Sequence, residues 1–126
     1  MSNDSWRILI AVVLAAHGIG HTYFLVDVLG LVKGARAGHS WLLSGRIPDA
    51  AVKAVGILVW SLATAGFVAA GAGVFGQYSW WRGLAVAFSV LSLLGLALFL
   101  QPKVPFFNAG AMDVIILVAL LVFHWP

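Results

Sequence analysis

Ile8-Leu9-Ile10-Ala11-Val12-Val13-Leu14-Ala15-Ala16-His17-Gly18-Ile19-Gly20-His21-Thr22-Tyr23-Phe24-Leu25-Val26 is the stretch whose reading decides the fold. It carries no Asp, Glu, Lys or Arg between Arg7 and Asp27. As a helix it is long enough to cross a hydrocarbon core, which takes about 20 residues. The two imidazoles are the exception inside it. A polar ring within a membrane span must find a partner or a task, so His17 and His21 mark where function is to be sought.

The rest of the chain agrees with a membrane setting. Its 126 residues are 63% hydrophobic and 9% charged, with a mean hydropathy of +1.06. Soluble domains carry roughly 25% charged residues, because a water-facing surface needs them and a lipid-facing one excludes them. The chain has no cysteine. Disulfides, thiolate metal ligands, iron–sulfur clusters and thiol catalysis are therefore excluded.

Charged residues divide the chain into one domain of four spans. The first is expected over about 7–31, the second over 53–74, the third over 81–100 and the fourth over 109–125. Gly71, Gly73 and Gly76, followed by Gln77 and Tyr78, end the second. Gln101, Pro102, Lys103 and Pro105 stop the third. Asp113 falls in the first turns of the fourth. Nothing alternates like barrel strands, and in lipid every backbone polar group must be satisfied internally, so the expected fold is an all-α, integral membrane four-helix bundle of up-down topology. Arg7 with the run Ile8–Ala16 also resembles the start of a signal peptide, but the apolar segment continues well past Ala16, which favours an uncleaved span.

Lys33, Arg36, Arg46, Lys53 and Lys103 fall on one side of this arrangement and only Arg7 and Arg82 on the other. Basic residues in short loops stay on the cytoplasmic side, which places both termini outside a cell inner membrane. Trp6, Tyr78, Trp80, Trp81 and Trp125 collect at the terminus-bearing face, as an interfacial belt does. The connection Gly34 to Asp49, with Gly38-His39-Ser40-Trp41-Leu42-Leu43 in it, reads as an irregular loop, with a segment lying on the membrane surface as the alternative. The basic cluster suits anionic lipid headgroups, and its closeness to the bilayer argues against nucleic-acid binding. Gly66 with Ala70, Ala69 with Gly73, and Gly83 with Ala87 have the spacing that lets helix backbones approach, within the bundle or across a homodimer.

Depth decides which polar groups can meet. At about 1.5 Å per residue from the terminus-bearing face, His17 lies roughly 15 Å deep, His21 roughly 21 Å, Asp113 roughly 18 Å and Ser92 roughly 16 Å. Ser61 and Thr64 fall near the midplane. His124 sits one residue from the interface, roughly 13 Å above His17, and is excluded as a shared ligand. Four residues advance about 400° around a helix, so His17 and His21 share a face with Trp6, Ile10, Val13, Phe24 and Val28. Gly18 and Gly20 clear the edge of that face for a neighbouring helix or a flat ligand. Asp27 lies nearer the other interface, with Lys33, Arg36 or Lys103 as its expected partner.

A layer of His17, His21 and Asp113, with Ser92, Ser61 and Thr64 at similar depth, supports several chemistries. It can be a hydrogen-bonded core that holds the bundle together, or a pocket for a small organic molecule such as a quinone. Histidines at i,i+4 also suit adjacent ligands on one metal, but the glutamate of a zinc-protease helix is replaced by Ile19 and Gly20, which ranks metal or haem below an organic ligand. Proton transfer fits the residue types, which makes a small transporter or proton-coupled permease the second functional reading. An autonomous enzyme ranks third, because no nucleotide-binding loop or paired-carboxylate motif is present.

Leu14-Ala15-Ala16-His17-Gly18-Ile19-Gly20-His21 resembles the first-helix pattern of DoxX-like and related small four-helix bacterial membrane proteins, in which an apolar run ends in His-Gly. Asp113-Val114-Ile115-Ile116-Leu117, following a loop with Lys103, resembles their last helix. Members commonly carry lysine at the position of His21. The resemblance implies membership of, or association with, membrane redox systems that use quinones; the leading functional reading is a non-catalytic or accessory subunit, with the lipid bilayer and other membrane subunits or a second copy of the chain as its partners.

Overall fold

The computed structural model describes residues 2–32, 38–101 and 103–126. Among them are four helices long and apolar enough to cross a membrane: Asn3–Val28, Asp49–Phe75, Trp81–Leu98 and Val104–Val122. The described residues contain no β-strand. The fold is an all-α, up-down four-helix bundle of the membrane class. Lys33, Gly34, Arg36 and Pro102 lie outside the described residues.

Local chemistry explains the helix ends. Ser2 caps the first helix, its side chain accepting from the Ser5 N–H at 3.2 Å. The second helix begins at Asp49, directly after Pro48, so Lys53 lies inside it rather than before it. Pro105 does not act as a stop; it sits in the first turn of the fourth helix, which begins at Val104 rather than near Ala109. A proline costs nothing there, because that turn has no intrahelical acceptor for its N–H in any case. Asp113 is consequently central in its helix, not in the first turns. The last five residues of this helix, Val118–Val122, widen into a π turn.

The first helix is interrupted at His21, whose N–H is shared between the carbonyls of His17, at 3.3 Å, and Gly18, at 3.1 Å. Regular helix resumes at Thr22. The irregularity therefore falls on one of the two histidines.

Successive helices pack in order, first on second, second on third and third on fourth, while the first and fourth touch only sparsely. Between helices in lipid no hydrophobic driving force remains, so close van der Waals packing and polar contacts must hold them. Gly18 supplies one such approach: a Cβ there would lie 2.8 Å from Phe67 Cβ and 2.9 Å from the Thr64 carbonyl oxygen. Gly66 supplies another, since a Cβ would fall 2.1 Å from the Phe88 ring. Gly83, with the same sequence spacing, faces open space.

Two apolar clusters fill the interior. One, towards the termini, includes Leu14, Phe67, Val74 and Ile116; the other includes Phe24, Val28, Trp60, Leu96 and Phe99. At the terminus-bearing end Trp6 and Trp125 meet edge to face at 5.6 Å, and Tyr78 stacks on Trp80 at 5.5 Å. Arg82 lies over the Trp81 ring and donates to the Pro126 carbonyl.

At the other end the described part of the first connection, residues 38–48, is a series of turns with no helix. Ser40 Oγ donates to the Leu98 carbonyl at 2.7 Å, and Trp41 Nε1 to the Ala97 carbonyl at 2.6 Å. Both acceptors are last-turn carbonyls with no partner in their own helix, so the loop caps the third helix and is held in place by it.

Candidate functional site

Between the two apolar clusters lies a polar layer. His17 Nε2–H donates to Asp113 Oδ1 at 2.7 Å, joining the first helix to the fourth. His21 Nε2 and Ser92 Oγ are 2.8 Å apart, joining the first helix to the third. His21, Ser92 and Asp113 are fully buried, and the His17 side chain is 8% exposed. One donor atom from each of His17, His21 and Asp113 lies within 4.8 Å of the others. Asp113 Oδ2, also buried, has no hydrogen-bond partner among the described residues.

The geometry follows from helical periodicity. The i,i+4 spacing stacks the two imidazoles on one face, with ring centroids 4.6 Å apart. The second helix turns Phe67 and Trp60, seven residues apart on one face, against them. Phe67 lies 4.6 Å from the His17 ring and 5.4 Å from His21, and Trp60 lies 5.8 Å from His21 and stacks on Phe24. An aromatic wall therefore closes the layer on the side of the second helix.

The opposite side is open. A cavity of about 400 Å³ runs between the first and fourth helices. Its lining includes His17, Gly20, His21, Phe24, Asn108 and Met112. Ala16, Gly20 and Asn108 at its margin are exposed on the bundle surface. The glycines of the histidine segment have divided roles: Gly18 admits the second helix, whereas Gly20 has no atom within 4 Å of its Cβ position and leaves the cleft free.

The other residues expected at this depth behave differently from one another. Ser92 joins the layer through His21. Thr64 packs beneath Gly18 through its backbone, and its buried Oγ1 has no partner among the described residues. Ser61 is half-buried and makes no side-chain hydrogen bond among the described residues. His124 is exposed at the chain end, away from the cluster.

Asp27 is met by an amide and not by Lys103. Its buried carboxylate accepts from the Gln101 side-chain amide, and Lys103 makes no ion pair with it. The amide meets Oδ2 without burying a second charge, while Oδ1, also buried, has no hydrogen-bond partner among the described residues. Lys33 and Arg36, the other expected partners, lie outside the described residues.

Sequence reasoning also passed over the aromatic wall, the cleft and Ser89, whose buried hydroxyl in the third helix has no hydrogen-bond partner among the described residues. Phe67 stands three residues after Thr64, and Ser89 three residues before Ser92, so helical spacing alone places each beside a residue already singled out. The cleft has no such signal, because it depends on how far apart two helices sit. Compared with protein-family models, curated proteins and solved structures, the chain matches none.

Proposed function

We propose that this chain is a membrane-embedded binding subunit, accessory to a redox system of the bilayer, whose His17–His21–Asp113 layer receives the polar head of a lipid-soluble molecule of the quinone type. The observation that carries the reading is the cleft between the first and fourth helices, which reaches His17 and His21 from the side of the bundle. A molecule dissolved in the membrane needs no aqueous route to such a site. His17 and His21 would offer it imidazole nitrogens in a low-dielectric setting, Asn108 an amide at the rim and Phe24 an apolar contact, all of them lining the cleft, while Asp113 holds His17 from behind.

The lateral opening favours this over transport, which needs a path to the layer from each aqueous side. The DoxX-like resemblance points in the same direction. The basic residues of the first connection put both termini outside a cell inner membrane, and the lipid-facing surfaces leave room for neighbouring subunits or a second copy of the chain.

The test is photolabelling of the detergent-purified, chelator-treated chain with an azido-quinone. Labelling is expected on peptides that contain Asn108 or Met112, competed by unlabelled quinone and reduced at least tenfold in Met112→Trp, which fills the cleft. Labelling spread evenly over all four helices, or unaffected by competitor, would overturn the proposal.

A further inference from the structure

The same three side chains form an incomplete coordination set, and from it we infer that the layer binds one divalent first-row transition metal ion through His17, His21 and Asp113. This goes beyond binding of an organic head and does not require it.

Two imidazoles and one carboxylate, with the remaining positions open, are a donor set used for iron(II) and zinc(II). Each of these residues has a donor atom within 4.8 Å of the other two. Bonds of about 2.0–2.2 Å at a tetrahedral angle put two ligands of one ion about 3.3–3.6 Å apart, so a pair at the outer limit must draw in by about 1.5 Å or less. The cavity beside the imidazoles leaves His17 and His21 room to rotate that far.

A second observation comes from Asp113. Its Oδ2 is buried and unpartnered, although an ionised carboxylate normally has every oxygen satisfied. A cation between the acid and the histidines would satisfy it. Ser92 is then positioned to hold the His21 ring, as outer-shell partners of metal ligands do.

Charge balance says what else would bind. A dication with two neutral imidazoles and one carboxylate leaves one positive charge in a low-dielectric interior, which is costly unless compensated. No other described acid belongs to the cluster. The open positions face the cleft, so the compensating ligand is an oxygen anion arriving there: hydroxide, or the deprotonated head of an apolar acid or phenol.

The experiment is titration of the full chain, made without a histidine tag and stripped with chelator, with cobalt(II) in mild detergent. One equivalent is expected to bind with visible d–d absorption of four- or five-coordinate cobalt, and zinc to displace it. His21→Gln and Asp113→Asn, which keep hydrogen-bonding capacity and shape, should each weaken binding by more than about 100-fold, the upper end of the effect of losing an outer-shell partner. His124→Ala and His39→Ala should leave it unchanged. Absence of saturable one-to-one binding would overturn the inference, as would binding that survives His21→Gln and is lost with His124→Ala. Should Asp113→Asn fail to fold, His21→Gln and the wild-type stoichiometry decide. Quinone labelling is measured on metal-free protein, so a failure there and a failure here are distinguishable.

Discussion

His17 and Asp113 meet at 2.7 Å across the first and fourth helices, the one neighbouring pair in the bundle that otherwise packs sparsely. His17 lines the cleft while Asp113 is buried behind it, so the contact that ties these helices together reaches the cleft through the imidazole. Structure and site are coupled at that point.

His17→Ala and Asp113→Ala are each expected to destabilise the bundle by about 0.6–2 kcal/mol, the range for interhelical hydrogen bonds in membranes. The double variant should lose less than the sum, because both changes remove one interaction. Equilibrium unfolding in mixed micelles measures all three; strict additivity would mean that the two residues do not interact.

Gly18→Ala and Gly20→Ala should part company although they stand two residues apart. The first drives a methyl against Phe67 and the Thr64 carbonyl and is expected to cost about 1–3 kcal/mol, as overpacking does. The second enters open space and should not lower stability. Comparable losses at both positions in the same unfolding assay would contradict the packing described.

Gly66→Ala and Gly83→Ala make the same comparison in the second and third helices. Only Gly66 has a neighbour in the way, the Phe88 ring. Thermal stability in detergent should fall for Gly66→Ala and stay level for Gly83→Ala. A loss at Gly83 accompanied by loss of a dimer band on cross-linking would instead place that glycine in a homodimer face.

Gln101→Leu removes the amide that donates to buried Asp27 and is expected to destabilise by about 1–3 kcal/mol, the cost of stranding a buried polar group. Replacing both residues by leucine should recover part of that loss, since no acid remains to be satisfied. If the single variant is as stable as the parent, Asp27 draws its support from elsewhere.

How far the site could be read from the residues differs from one to the next. The i,i+4 spacing of His17 and His21 sets their shared face, and counting rise per residue brings Asp113 and Ser92 to the same depth. Counting depth does not give the angle at which a side chain leaves its helix. Ser61 and Thr64 pass the depth test, yet Ser61 makes no side-chain bond and Thr64 serves through its backbone. For Asp27, formal charge suggests a cation as partner, whereas among the described residues the group that reaches it is the neutral amide of Gln101.

The sequence by itself determined the solvent this chain folds in, the number of crossings and the depth of its polar groups, because lipid excludes charge and forces backbone polar groups into helices of a set length. Only the tertiary structure decided that Asp113 bonds to His17 while Ser92 takes His21, that Phe67 and Trp60 close one side, and that a cleft opens on the other. Those outcomes depend on helix rotation and separation. Among helices in lipid these are set by the fit of particular small and aromatic residues, not by hydrophobicity, which is nearly the same on every face.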